Sequence, residues 1–279
     1  MDSAVPQLLP AARSKTARDE NFPVAAWFVA DRHRPLVAAY YAFARHADDI
    51  ADDPLLTAEQ KTIALNDLES SLLCGTDGVA QTLRAQMAAR SLPLTLATQL
   101  LIAFRRDAVN TPVNSLEDLM DYCRSSAAPV GRFMLAIHDE TIDLGASDSL
   151  CAALQVLNHI QDAQDDWRTL KRCYIPKEWL DAEGVGADAF LARAMSHPVK
   201  RVVDPLLDHV DVLLATSRPL PAQIKDRGLS AQVRAIHTLA VRLSARLRRT
   251  DILAEKVTLS VWDWWAAFMA GANCWMFRA

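Results

Sequence analysis

Apolar residues recur along most of this chain at three- and four-residue intervals, the period of a helix that buries one face. Strict alternation, the mark of a half-buried strand, is hard to find, and eight glycines in 279 residues are too few for the tight turns of a β protein. The pattern predicts an all-α protein, with helices near 33–53, 57–74, 79–90, 94–108, 115–138 with an internal break, 148–171, 199–217, 228–249 and 257–276. Pro54, Pro112, Pro176, Pro198 and Pro219 fall between these segments. One short helix is expected between Pro176 and Pro198, and Ser217 to Gly228 reads as a connecting loop. With no linker, repeat or low-complexity tract, a single helical domain over 21–279 is the economical reading, preceded by a flexible arm over 1–20. The arm lacks the unbroken apolar stretch of a secretory signal.

Composition narrows the function. Half the residues are hydrophobic (51%), enough for a large core, and 30 Lys+Arg against 34 Asp+Glu leave a net charge of -4. No basic surface of that kind is available for nucleic acid. The five cysteines are odd in number and widely spaced, which argues against a disulfide framework or a zinc site and for a reducing, cytoplasmic compartment. Val257 to Phe277 is long enough to span a membrane, but it carries Asp263 and Asn273 and clusters Trp262, Trp264 and Trp265 at one end. It reads as packed, or as lying peripherally on the inner face of the cytoplasmic membrane.

Two polar stripes carry the chemistry. On the first helix Leu36, Tyr40, Phe43, Ala47 and Ile50 form the apolar face, and Tyr41, Arg45, Asp48 and Asp52 share a neighbouring face at i, i+4, i+7 and i+11. Four acids crowd its end, where the helix dipole is already negative, so an isolated helix gains nothing from them. Alone, they fit a solvated acidic helix end. The helix over 148–171 repeats the spacing: Gln155, Asn158, Asp162 and Asp166 project at i, i+3, i+7 and i+11, beside an apolar face of Leu150, Leu154, Leu157, Ile160, Trp167 and Leu170. Two facing aspartate pairs suit Mg²⁺, which takes one or two carboxylates, waters and phosphate oxygens, and so imply a diphosphate ligand. Arg45, Arg168, Lys171 and Arg172 stand within a turn or two of the acids as cationic complements. A di-iron bundle needs Glu-x-x-His pairs, which these helices lack.

A third feature is Tyr122-Cys123-Arg124-Ser125-Ser126-Ala127-Ala128-Pro129-Val130-Gly131-Arg132, where Pro129 and Gly131 interrupt a helical pattern. The interruption is a kink between core helices or a place where carbonyl dipoles point into a cavity. Cys123 reads as a small buried residue, and His46 and His159 as packing or hydrogen-bonding residues.

These motifs together resemble the squalene and phytoene synthase family of head-to-head prenyl synthases over roughly Asn21 to Trp265. The anchors are residues 41–52, Asp121-Tyr122-Cys123 with Pro129-Val130-Gly131-Arg132, the Gln155/Asn158/Asp162/Asp166 stripe, and Arg172-Cys173-Tyr174-Ile175-Pro176. Asp48-Asp49-x-x-Asp52 alone also fits terpene cyclases, but the second stripe does not carry their Asn/Asp-Asp-x-x-Ser/Thr-x-x-x-Glu pattern. Glu20 to Ala25, with Ser126 to Arg132, resembles the HpnC-like branch of bacterial hopanoid pathways, associated with hydroxysqualene formation. Asn21, Gln161 and Ser126 depart from the broader family pattern.

The resemblance implies an isoprenoid synthase (class I terpenoid synthase) helical bundle with a central cavity. It implies two or three Mg²⁺ ions on Asp48, Asp52, Asp162 and Asp166, and diphosphate and cavity roles for Tyr41, Arg45, Tyr122, Gln155, Asn158, Arg172 and Tyr174, with Arg168 added as a cationic neighbour. The implied reaction takes presqualene diphosphate and water to hydroxysqualene and diphosphate. Ser126 is the foremost candidate to position that water, with Tyr122 or Asn158 as alternatives. No NADPH is expected, since no GxGxxG-like motif occurs. The alternative activity is presqualene diphosphate or squalene synthesis from two farnesyl diphosphates. Bilayer contact and handover to other squalene-pathway enzymes are further expectations, because such substrates and products are almost insoluble.

Overall fold

The structure, a computed structural model, describes residues 30–75 and 78–277. The expected arm over 1–20 and the Glu20 to Ala25 segment lie outside the described residues. No strand occurs among the described residues. The nine predicted segments all appear as helices, with ends within a few residues of the expected ones.

Two of the helices carry the acidic stripes. Helix α1 (Arg34–Asp52) buries Leu36, Val37, Ala39, Tyr40, Phe43, Ala47 and Ala51. It packs on α3 (Gly78–Ala88) and α4 (Thr95–Ala108), with α2 (Ala58–Cys74) alongside. Tyr40 stacks on Phe133 at 3.9 Å between ring centroids and donates its hydroxyl to the Leu96 carbonyl at 2.7 Å. A buried Tyr thereby contributes both ring packing and a satisfied polar tip. α5 (Leu116–Ser126) and α6 (Ala128–Ile137) follow, and both touch α4 and the second acidic helix, α7 (Gly145–Thr169). Thus α4, α5 and α6 link the two acidic helices.

The remaining elements back α7. Short α8 (Lys177–Ala182) and a 3-10 turn (Ala187–Leu191) occupy the stretch where one short helix was expected. α9 (His197–Ser217) packs along α7, with Pro198 in its first turn rather than ahead of it, where the missing N–H has no helical partner to lose. The expected loop after Ser217 contains a single helical turn, α10 (Leu220–Gln223), before α11 (Arg227–Leu247) and α12 (Val261–Phe277), which pack on each other. No helix among the described residues is long and apolar enough to cross a membrane.

The break between α5 and α6 falls at Ala127, and Pro129 sits in the first turn of α6. Gly131, expected to interrupt the helix, is instead helical: a Cβ there would meet Cys151 Sγ at 2.6 Å and Ser147 Oγ at 2.8 Å. Its role is the close approach of α6 to α7.

Candidate active site

Tyr41, Arg45, Asp48 and Asp52 are all half-buried on α1, while Ala42, His46 and Asp49 on the adjoining face are exposed. Gln155, Asn158, Asp162 and Asp166 are likewise half-buried along α7. Both stripes therefore run along the edge of the core. Arg45 bridges Asp48 at 3.0 Å and Asp49 at 2.6 Å, and its buried Nε has no hydrogen-bond partner. Burial, then the Asp52 charge, pushes the Asp48 carboxyl up to about 7, with Asp107 and Asp49 adding to the rise and Arg45 opposing it.

Arg172 joins the stripes. α7 ends at Thr169, Lys171 takes a left-handed backbone (φ +56°), and the chain turns back. The Arg172 N–H donates to the Asp166 carbonyl at 3.3 Å. Its guanidinium pairs with Asp52, donates to the Ala51 carbonyl at 2.8 Å and to the Asn110 side chain at 3.2 Å. Only 8% exposed, it caps the negative end of α1 with a positive charge. Despite the cost of burial, Tyr174, Asp107 and Asp52 hold that charge firmly in place.

At the centre is a residue that the sequence pattern did not reveal. Asp107 accepts the Tyr122 hydroxyl on Oδ2 at 2.8 Å and the Tyr174 hydroxyl on Oδ1 at 2.9 Å. Burial raises its pKa, while Arg172 and the two phenols act in the opposite direction. The Tyr174 ring stacks on His159 at 3.7 Å, and Gln155 meets His159 Nε2 at 3.1 Å. Burial pushes His159 down to about 3, so the imidazole is neutral and its Nε2 accepts from the Gln155 amide. Asp52 pairs with Arg172, the Arg172 charge acts on Asp107, and direct contacts run on from Asp107 through Tyr174 and His159 to Gln155 on the other acidic helix. Asp107 had one visible signal: it continues the buried stripe Ala97, Leu100, Ala103 of α4, a charge in an apolar register.

Other expected residues lie elsewhere or stay quiet. Arg168, expected in the cationic clamp, pairs with Asp165 at 3.0 Å on the exposed face of α7, and Lys171 sits 5.4 Å over the Trp167 ring. His46 is exposed, and Cys123 is buried with its thiol pushed up to about 12 by burial. Ser126 is one turn beyond Tyr122 on α5, and its buried Oγ has no partner.

The donor set is one of carboxylate oxygens, which suits a hard divalent cation. Among the described residues no three acidic, His or Cys side chains converge tightly enough to hold an ion alone. Pairs of carboxylates that leave room for phosphate oxygens and water fit Mg²⁺ better than a closed protein cage does.

The sequence profile of squalene/phytoene synthases matches residues 15–263. The chain belongs to the squalene/phytoene synthase family. It is 43% identical over 248 residues to a hydroxysqualene synthase of Rhodopseudomonas palustris, covering 88% of this chain and 85% of that protein. It is 38% identical to a hydroxysqualene synthase of Zymomonas mobilis, covering 87% and 84%. Among solved structures, a squalene synthase HpnC from Alicyclobacillus acidocaldarius superposes with a TM-score of 0.73 at 32% identity, covering 82% of this chain and 88% of that one. A dehydrosqualene synthase superposes at 0.72 with 19% identity, a likeness of fold. The family's isoprenoid synthase fold and an activity on prenyl diphosphates follow.

Proposed function

We propose that this protein is a Mg²⁺-dependent hydroxysqualene synthase, converting presqualene diphosphate and water to hydroxysqualene and diphosphate in the route to squalene and hopanoids. The observation that carries the reading is Arg172, which ties Asp52 of one acidic stripe to the Asp166 turn of the other. The relatives named hydroxysqualene synthase support the choice of reaction within the family.

In this reading Asp48 and Asp52 on one side, and Asp162 and Asp166 on the other, hold two or three Mg²⁺ ions. When bound, the ions neutralise the charge that grows on the departing diphosphate. The buried Arg45 Nε is a donor in want of an acceptor, and with Arg172, Gln155 and Asn158 it grips phosphate oxygens. Tyr41, Tyr122 and Tyr174 present aromatic faces to the carbocation left behind. The substrate's C–O bond breaks with its electron pair on the diphosphate, a water oxygen forms the new C–O bond, and the surplus proton leaves with the diphosphate or solvent. The partnerless Ser126 hydroxyl is the group offered to that water. No hydride donor enters this balance, so NADPH is not required. In the cytoplasm, the exposed aromatic face of α12 rests on the membrane that supplies substrate, which would also allow direct transfer to neighbouring pathway enzymes.

Incubating purified protein with Mg²⁺ and presqualene diphosphate, without NADPH, tests the reading: the lipid recovered should be the C30 alcohol. The squalene synthase name of the solved relative favours a second reading, in which two farnesyl diphosphates are the substrates. Consumption of farnesyl diphosphate, with no turnover of presqualene diphosphate to an alcohol, would replace the first reading with this one.

A further inference from the structure

Asp107 lies on neither acidic stripe, yet both of its oxygens are occupied by phenols from two other parts of the chain. An ionised carboxylate only accepts, and a phenol has a single proton to give. Once Tyr122 and Tyr174 have both given theirs to Asp107, each phenolic oxygen can offer a third group nothing but lone pairs. A water beside such an oxygen must donate to it, which leaves the water's own lone pair turned outward. The opposite polarity, a phenol donating to the water oxygen, would occupy one of its two lone pairs and draw electron density from the other, which attacks carbon. The unsatisfied Ser126 hydroxyl stands one helical turn from Tyr122, where it can share that water.

We propose that Asp107 is a positioning residue that fixes the phenolic protons of Tyr122 and Tyr174, so that the tyrosine oxygens orient the attacking water as its hydrogen-bond acceptors. The inference rests on the hydroxylation reading above. Bonds balance as before: the substrate C–O bond breaks, the water C–O bond forms, and the tyrosines end the cycle with the protons they began with. The arrangement needs an ionised Asp107: burial disfavours that form, and the Arg172 charge and the hydrogen bonds from both phenols oppose the effect of burial.

The test is Asp107→Asn, nearly isosteric but with an amide that donates on one side, so one phenol must turn its proton away. Hydrogen bonds to charged groups contribute roughly 1.5–3 kcal/mol, so kcat for alcohol formation should fall roughly tenfold to a hundredfold, with KM changed by about threefold or less. The alcohol-to-diphosphate ratio should drop as well, since ionisation continues while water capture fails and the cation loses a proton to give hydrocarbon instead. Asp107→Glu, which keeps an acceptor-only head, should restore the ratio even where it is slower. An unchanged ratio in Asp107→Asn overturns the proposal. A readout without substrate separates this from failure of the hydroxylation reading: in infrared spectra of tyrosine-labelled protein, the C–O stretch should shift for Tyr122 or Tyr174 in Asp107→Asn. Unchanged bands overturn the proposal whatever reaction the enzyme performs.

Discussion

Arg172 and Asp52, 120 residues apart in sequence, form a part-buried ion pair that closes the end of α1 with the turn that follows α7. The pair solves the problem posed by four acids at a helix C-terminus, because the charge that neutralises them arrives from the other acidic helix. Removing it should therefore affect both stripes. Arg172→Ala is expected to lower stability by roughly 1.5–3 kcal/mol, the range for a lost hydrogen bond to a charged group. It should also raise KM for the prenyl diphosphate. Arg172→Lys keeps the charge but cannot serve Asp52, Ala51 and Asn110 together, so it should recover stability better than KM. Thermal melts and steady-state kinetics on the two variants check this, and a KM unchanged in both would remove Arg172 from substrate binding.

Asp48 should show an opposition between stability and function. It sits half-buried beside Asp52, with its proton held up to about 7. A carboxyl whose folded pKa lies above its unfolded one stabilises the fold while it keeps its proton. That advantage is complete below the ordinary carboxylate range and is lost as pH rises through about 7. Without divalent ions, wild-type protein should melt higher at pH 6 than at pH 8 on account of this group, and Asp48→Asn should flatten that dependence and raise the melting point at pH 8. The same substitution should abolish Mg²⁺-dependent diphosphate release. A fall in the ion-free melting point of Asp48→Asn at pH 8 would contradict the assigned repulsion.

Metal requirement follows the same sign. Protons compete with Mg²⁺ for Asp48, so the Mg²⁺ concentration giving half-maximal diphosphate release should rise as pH falls below 7. Chelation should stop release at every pH. Asp162→Asn should raise the Mg²⁺ requirement as well, since it removes one carboxylate of the second stripe. Release that persists in chelator would end the case for Mg²⁺.

Helix periodicity made the acidic stripes legible, because 3.6 residues per turn fixes which side chains share a face whatever the tertiary structure. The half-buried setting of both stripes follows from the apolar face beside each. What periodicity could not supply was partner choice across the fold. Arg168 is nearer to Asp166 in sequence than Arg172 is, yet Arg168 points outward to Asp165 while Arg172 turns inward, because Lys171 reverses the chain between them. Asp107 escaped for a related reason: a search for paired acids passes over a single acid in an apolar stripe. Gly131 looked like a helix breaker and proved to be a space-maker, a distinction visible only once α7 lies against α6.

That contact is itself testable. Gly131→Ala would drive a methyl into Cys151 Sγ and Ser147 Oγ, closer than side chains tolerate. Overpacking of this kind costs roughly 1–3 kcal/mol. Denaturant unfolding should show the loss, and Cys151→Ala, which removes the nearest obstructing atom, should return part of it in the double variant. Additive effects of the two substitutions would show that the helices do not meet there as described.

On α12, Val261, Trp262, Trp265, Phe268, Trp275, Met276 and Phe277 are all exposed, Trp262 at 76% and Phe277 at 78%. The helix's acid, Asp263, is instead buried: despite that burial, Ser260, Arg242 and Arg246 hold its carboxyl down to about 2. Pinning Asp263 inward leaves an outer face without charge and rich in Trp and Phe, the composition of a helix that lies in a bilayer interface. Trp262→Ser with Trp265→Ser should therefore reduce co-flotation with phosphatidylcholine vesicles while leaving diphosphate release from detergent-dispersed substrate within about twofold. A second copy of the chain is the competing occupant. Sedimentation of wild type as a dimer that the double variant converts to monomer, with no flotation by either, would assign the face to self-association instead.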